Sequence, residues 1–219
     1  MTASDRLLDA VKAGDLPAVA RSLDEDDALA DARSDGVSLL LVALYYGHRA
    51  VAELFAARRR LDVHELAALG RAAELRELLR RLPDEVQRTA VDGFTPLGLA
   101  SFFGHEEAAR MLLDFGADPR RPSRNEMHVP PLHSAVARRS LAVARLLLDR
   151  GADINARQAG GFTPLHGAAA NGDRTMSELL VDRGADPSAR NDEGRTPSEL
   201  AATRGHAGLA DWLAGLTGG

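Results

Sequence analysis

Seven histidines are the side chains of this sequence best suited to metal binding or to general acid–base chemistry. Five of them occupy repeated positions, either directly after a glycine that ends a predicted helix or within Pro-Leu-His: His48, His105, His133, His166 and His206. The other two, His64 and His128, are far apart in sequence. The acidic run Asp24–Asp27 does not form a helix–loop–helix calcium motif, because its sixth position is Leu29 rather than glycine. We therefore expect structural histidines, and neither a bound metal nor another cofactor.

The middle of the chain is locally basic. Its arginines are Arg58, Arg59, Arg60, Arg71, Arg76, Arg80 and Arg81. Sites for single-stranded nucleic acid interleave basic with aromatic side chains along one groove, whereas carboxylates such as Glu74 and Glu77 interrupt the arginines here. Because the net charge is also −5, we interpret this segment as a solvated helix face with ion pairs. We expect no nucleic-acid partner.

Sequence motifs for catalysis are absent. The chain lacks the Gly-x-Gly-x-x-Gly and Gly-x-x-x-x-Gly-Lys fingerprints of nucleotide sites and the Gly-x-Ser-x-Gly elbow of hydrolases. It has no cysteine, which excludes thiol catalysis and cysteine-ligated zinc. No apolar stretch reaches the ~20 residues that a membrane helix needs, and the first residues do not resemble a signal peptide. We expect a cytoplasmic protein that is not an enzyme and does not contact a membrane.

The stretch Gly161–Gly172 shows how the helices of this chain are built. Thr163 is suited to cap a helix by accepting a hydrogen bond from a backbone N–H. Pro164 suits the first helical position, and Gly172 can adopt the left-handed conformation that ends a helix. Because so short a helix is not stable alone, it must pack against neighbouring helices.

The same pattern recurs along the chain. The helix-ending position falls at Gly14, Gly47, Gly70, Gly104, Arg139, Gly172 and Gly205, with spacings of 33, 23, 34, 35, 33 and 33 residues. Together with Thr-Pro-Leu at Thr95–Leu97 and Thr163–Leu165, this period resembles the ankyrin repeat. Lys12 is the only lysine among 27 basic residues, a composition typical of GC-rich bacterial genomes.

The resemblance implies an all-α solenoid of stacked helix–turn–helix units joined by short β-hairpins or turns. Seven units would form a single domain over residues 4–216, with boundaries near 4–30, 31–60, 61–84, 85–118, 119–153, 154–186 and 187–216. The third unit follows the second after only 23 residues, which removes about the length of a connecting hairpin. We therefore expect a sharp link between helices and an irregular step in the stack at this point.

Six of the nine aromatic residues fall at positions that, by the same resemblance, contact partner proteins. They are Tyr45, Tyr46, Phe94, Phe102, Phe103 and Phe162. Leu69 of the third unit lies between the Tyr-Tyr and Phe-Phe pairs and completes the predicted binding surface. Clustered aromatic side chains are typical of interface hot spots. We expect Tyr46 and Phe103, next to the helix-ending glycines, to be the exposed members of their pairs.

These features favour a monomeric scaffold or adaptor that binds another protein through its concave face and hairpin fingers. A dedicated inhibitor or immunity-type subunit of one partner enzyme would use the same surface. A hydrolase or small-molecule function would need a deep pocket with paired carboxylates or a Ser–His contact. The identity of the partner does not follow from the fold.

Overall fold

The computed structural model describes residues 3–217 and has fourteen α-helices in that range, arranged as seven consecutive pairs that we number units 1 to 7. The first helices of the units are α1 (Ala3–Ala13), α3 (Leu39–Tyr45), α5 (Val63–Leu69), α7 (Pro96–Phe103), α9 (Pro131–Ala137), α11 (Pro164–Ala170) and α13 (Pro197–Thr203). The second helices are α2 (Leu16–Glu25), α4 (Arg49–Ala56), α6 (Ala72–Arg81), α8 (Glu106–Asp114), α10 (Leu141–Asp149), α12 (Arg174–Asp182) and α14 (Ala207–Gly215). First helices of successive units pack against one another, so the all-helical solenoid predicted from the repeats is confirmed.

The connections between units are mostly turns. Strands β1 (Arg33–Ser34) and β2 (Val37–Ser38) form an antiparallel hairpin between units 1 and 2, and it is the only strand pairing within residues 3–217. Three short 3-10 turns lie at Asp27–Asp31, Pro83–Gln87 and Ala159–Gly161. The row of projecting β-hairpin fingers is therefore reduced to one hairpin in this part of the chain.

Hydroxyl caps start four of the first helices within residues 3–217. The hydroxyl oxygens of Thr95, Thr163 and Thr196 accept hydrogen bonds from the backbone N–H three residues later, at 3.1, 3.4 and 3.3 Å. A proline follows each of these threonines at the first helical position. Ser38 replaces threonine in unit 2 and caps α3 in the same way, at 3.3 Å. These caps satisfy backbone donors that a short helix would otherwise leave unpaired.

Histidines connect neighbouring units through backbone carbonyls. Five imidazole Nε2 atoms lie within 3.1 Å of a carbonyl oxygen of an adjacent unit, in the pairs His48–Lys12, His64–Arg88, His105–Ala68, His133–Phe162 and His166–Arg195. His64 therefore shares the structural role that the sequence pattern assigned only to histidines at repeated positions. His128 is exposed, and its Nδ1 atom lies 3.1 Å from the nearby carbonyl oxygen of Glu126.

Three helix-ending glycines make room for an imidazole of the next unit, in the pairs Gly14–His48, Gly70–His105 and Gly172–His206. A Cβ atom on Gly172, whose φ is +65°, would lie only 2.6 Å from the ring of His206 in the next unit. Arg139 holds the same left-handed conformation in unit 5, with φ at +55°. The corresponding residue of unit 6 is Asp173 rather than histidine, so no imidazole approaches the backbone of Arg139. The glycine is needed where a ring packs on the helix end, not merely where the helix stops.

Residues 57–62 join α4 directly to α5 without a hairpin, as the short spacing predicts. Arg59 fixes this link, because its guanidinium donates two hydrogen bonds to Glu65, one of 2.8 Å, and a third of 2.8 Å to the carbonyl of Ala30. Glu65 is fully buried and Arg59 nearly so. Burial alone would raise the pKa of Glu65, but hydrogen bonds from Arg59 and Ser38 lower it overall. The solvated face predicted for this arginine run is wrong at Arg59, which forms an internal ion pair.

Helix α5 is buried on every side. All of its residues, 63–69, are buried, and they divide between two apolar clusters. Leu69 belongs to a cluster formed mainly by units 1 and 2, which also includes Leu99 of unit 4, whereas Leu66 belongs to a cluster that extends from unit 3 to unit 7. Leu61, in the link before α5, packs against both clusters. Unit 3 is therefore the junction of the two parts of the core.

Substitution of Arg59 should be strongly destabilising. Arg59→Ala leaves the Glu65 carboxylate buried without its cation, which typically costs ~3 to 5 kcal/mol. Urea unfolding followed by circular dichroism measures this change. The neighbouring Arg60 is exposed, so Arg60→Ala is the matched control and should change the free energy of unfolding by under about 0.5 kcal/mol. Equal effects of the two substitutions would contradict the internal ion pair.

Stability should fall as the pH is lowered from 7.5 to 5. Burial lowers the pKa of His133 to about 4 and lowers those of His64, His105 and His166. The unfolded chain takes up protons on these imidazoles below about pH 6.5, whereas the folded chain takes them up only at lower pH. Acid therefore favours unfolding, and His133 alone should contribute about 2 kcal/mol of the loss at pH 5.

His133→Gln keeps a donor for the Phe162 carbonyl but cannot titrate in this range. The difference in unfolding free energy between pH 7.5 and pH 5 should shrink by about 2 kcal/mol in this variant. His128→Asn, at the exposed site, should behave as the wild type. A wild-type pH dependence in His133→Gln would refute the assignment of this titration to His133.

Candidate protein-binding surface

Rings of unit 2 and unit 4 contact each other directly. The ring centroid of Tyr45, at the end of α3, lies 5.8 Å from that of Phe103 in a stacked arrangement and 6.2 Å from that of Phe102 in an edge arrangement. The two phenylalanine rings meet edge to face at 5.1 Å. In a regular solenoid each unit contacts only its neighbours. We call Tyr45, Phe102 and Phe103 the aromatic cluster.

The hydroxyl group of Tyr45 anchors the aromatic cluster to the turn before α7. It donates a hydrogen bond of 2.6 Å to Oδ2 of Asp92. Burial and the adjacent Asp92 carboxylate raise the pKa of Tyr45, so the hydroxyl remains a protonated donor at neutral pH. The ring is thereby held in one orientation although it is 38% exposed.

The missing hairpin of unit 3 explains why units 2 and 4 meet. The hairpin of unit 2 reaches the turn of unit 4, because a Cβ on Gly36 at its tip would lie 2.9 Å from Cγ1 of Val91. Val91 is directly followed by Asp92, the acceptor for Tyr45. A hairpin between these segments would keep them apart. The deletion in unit 3 therefore brings together the side chains of the aromatic cluster.

Leu69 does not contribute to this surface, contrary to prediction. Its side chain is only 2% exposed and packs in the cluster of units 1 and 2. Apolar side chains of units 1, 2 and 4 share this cluster with Leu69 and cover it.

Exposure within the aromatic pairs differs from the prediction in unit 4. Tyr46 is the more exposed member of its pair, at 54%. Phe102 and Phe103 are both partly buried, and Phe103 packs against the core of units 1 and 2. The reason is again the contact between units 2 and 4, which covers the Phe103 ring with Tyr45.

A groove of about 320 Å³ lies between units 4, 5 and 6. Phe94, Phe102 and Phe162 form apolar parts of its lining, so Phe102 connects the groove to the aromatic cluster. Met127, in the connection between α8 and α9, also lines the groove and is 52% exposed. Sequence reasoning missed Met127. The available signal was a large apolar residue in a connection rich in proline and arginine.

One cation lies beside the groove. The guanidinium carbon of Arg138 is 5.5 Å from the ring centroid of Phe102, a distance typical of a cation–π contact. Arg138 is exposed, and within residues 3–217 no carboxylate lies within ion-pair distance of it. The next residue, Arg139, instead donates to the carbonyl of Asn171.

The groove lacks the geometry of a hydrolytic site. His133 lines it, but its Nε2 atom is engaged with the Phe162 carbonyl at 2.9 Å, and burial lowers its pKa to about 4. Nδ1 of His133 and Oγ of the adjacent Ser134 have no hydrogen-bond partner among the described residues, so no Ser–His pair forms there. Within residues 3–217, no three His, Asp or Glu side chains are grouped to hold a metal ion. No helix in that range is long and apolar enough to span a membrane.

Known proteins resemble parts of this chain. The family described as ankyrin repeats in three copies matches residues 63–158, and a further single ankyrin repeat matches residues 160–192. The human DNA-binding protein RFXANK is 48% identical over 59 residues, covering 27% of this chain and 23% of that protein. Human neurogenic locus notch homolog protein 4 is 43% identical over 76 residues, covering 34% of this chain and 4% of the relative. Mouse ankyrin repeat domain-containing protein 13B is 37% identical over 86 residues, covering 39% of this chain and 13% of that protein.

Each of these relatives is matched over less than a quarter of its own length. The family matches, by contrast, cover residues 63–158 and 160–192, which is more than half of this chain and corresponds to units 3 to 6. The same residues form four stacked helix pairs, two of which begin at a threonine cap. On both grounds, this chain belongs to the ankyrin-repeat family.

Proposed function

We propose that this chain is a non-catalytic adaptor that binds a partner protein through the aromatic cluster, Tyr46 and the adjoining groove. The direct contact of Tyr45 with Phe102 and Phe103 carries this proposal, because it joins side chains of units 2 and 4 into one apolar surface. Ankyrin repeats are typically protein–protein interaction modules. The aromatic cluster lies at the ends of first helices, and we propose that this side forms the concave face of the ankyrin solenoid.

The surface is suited to tight binding because it is already ordered. Mutual ring contacts and the Tyr45–Asp92 hydrogen bond hold the aromatic cluster in place, so its side chains would lose little conformational entropy when a partner binds. Tyr46 offers a large exposed ring next to this rigid cluster. Aromatic side chains in such a setting often dominate the binding energy of an interface.

We also propose the number of repeats, the origin, the oligomeric state and the location of this chain. The seven helix pairs of residues 3–217 support seven repeats in a single domain over residues 4–216. The use of arginine in place of lysine supports a bacterial origin. We further propose a monomer in the cytoplasm that does not bind nucleic acid, in keeping with the net charge of −5.

Replacing the exposed aromatic residues should weaken partner binding. The partner is captured from a lysate of the native host with the tagged wild-type chain, and its affinity is then measured by isothermal titration calorimetry. Tyr46→Ala should lower the affinity by about tenfold, and Tyr46→Ala with Phe102→Ala by more, because hot-spot aromatic contacts are lost. If the purified partner is an enzyme, its activity in the presence of equimolar chain distinguishes a dedicated inhibitor from an adaptor.

Leu16→Ala is the control for these substitutions, because Leu16 has an exposure like that of Tyr45 but lies in α2, outside the proposed surface. It should leave the affinity unchanged. Melting temperatures confirm that each variant is folded. Wild-type affinity in a folded Tyr46→Ala, Phe102→Ala variant would exclude this surface as the binding site.

A further inference from the structure

The residues at one position of the repeat determine the shape of the groove between units 4, 5 and 6. Two residues before the helix-ending position, unit 2 has Tyr45, unit 4 has Phe102, and units 5 and 6 have Ala137 and Ala170. In units 2 and 4 aromatic rings fill this position and contact each other. In units 5 and 6 the alanines leave it open beside Phe102, and both of them line the groove.

The apolar lining is preformed and its size suits side chains of a partner. The ring of Phe162 is held edge to face against the imidazole of His166, with centroids 5.9 Å apart. The volume of about 320 Å³ is at the lower end of the range for ligand pockets, which fits one or two amino-acid side chains. Exposed Met127 adds a flexible contact that can adapt to the side chain that enters.

Two buried polar atoms beside the groove lack partners. In unit 6, Oγ1 of Thr163 lies 2.8 Å from Nδ1 of His166. In unit 5, Pro130 replaces the threonine, and Nδ1 of His133 and Oγ of Ser134 have no hydrogen-bond partner among the described residues. Buried polar atoms are normally hydrogen-bonded. Both residues line the groove, but these two atoms are buried and are not exposed to a side chain that enters it.

Arg138 supplies the charge complementarity. It is the exposed cation that packs on Phe102, and none of the ion pairs formed within residues 3–217 involves it. A guanidinium in contact with a ring can still donate N–H groups to a carboxylate. An apolar groove with such a cation beside it matches an apolar side chain with a carboxylate close by.

We propose that this groove receives an aromatic or leucine side chain from an acidic segment of the partner protein, and that Arg138 binds a carboxylate of that segment. The inference rests on the proposed function and specifies the chemistry of the partner. Phe94, Phe102 and Phe162 enclose the apolar side chain, and Arg138 selects for Asp or Glu next to it.

A phage-displayed library of random twelve-residue peptides tests this proposal without knowledge of the natural partner. Panning on the full wild-type chain should enrich peptides with Asp or Glu within three positions of Phe, Trp or Leu. The enriched peptides are then synthesised, and their affinities are measured by fluorescence polarisation. Ala170→Trp, which fills the groove, should weaken their binding by at least about tenfold.

Two further variants distinguish a specific loss of binding in the groove from a general loss of folding. Thr203→Trp places the same ring at the equivalent position of unit 7, outside the groove, and should bind as the wild type does. Arg138→Glu changes an exposed residue and should also weaken binding of the acidic peptides by at least about tenfold. The same panning on Arg138→Glu should lose the enrichment of Asp and Glu.

The proposal is overturned if no peptides are enriched, if the enriched peptides lack acidic residues, or if they bind Ala170→Trp as tightly as the wild type. The proposed function can fail separately, because it is judged by the effect of Tyr46→Ala on the captured natural partner. Loss of that partner by Tyr46→Ala but not by Ala170→Trp would retain the adaptor function and exclude the groove as its binding site.

Discussion

The ion pair between Arg59 and Glu65 holds the link between units 2 and 3, where no hairpin is present. The contacts between units 2 and 4 depend on this link. A regular connection would separate successive units, whereas this link leads α4 directly into α5. A buried carboxylate is costly unless it is paired and hydrogen-bonded. Glu65 meets that requirement through Arg59 and Ser38, and Arg59 also holds the carbonyl of Ala30 in unit 1. Arg59 of unit 2 therefore binds residues of both unit 1 and unit 3.

The consequence at the surface is a contact across unit 3. Because unit 3 has no hairpin, the hairpin of unit 2 reaches the turn of unit 4, and Tyr45 can meet Phe102 and Phe103. An irregularity in the repeat thus creates the most distinctive surface of the molecule. Units 5 and 6 contribute through small side chains. Ala137 and Ala170 leave a groove beside Phe102 of the aromatic cluster.

The sequence predicted the regular part of the fold and less of the site. The repeat period and the Thr-Pro caps identified the helix pairs, because each cap acts within a few residues of chain. The burial of Leu69, Arg59 and His64 depends instead on how unit 3 is rotated and joined to its neighbours. Side chains of units 1, 2 and 4 cover Leu69, and these units lie far from it in sequence, so no local pattern marks its burial. The aromatic positions were found from the repeat, but their contact across unit 3 follows only from the assembled stack.

The burial of helix α5 limits which units of the chain can be exchanged or removed. Repeat proteins gain and lose units by duplication and deletion, and a unit can be exchanged freely when its two interfaces are generic. All residues of α5 are buried, with side chains in both parts of the core, and its neighbours contact each other around it. Unit 3 therefore cannot be removed or exchanged without the loss of contacts on both of its sides, so units 2, 3 and 4 form one structural block.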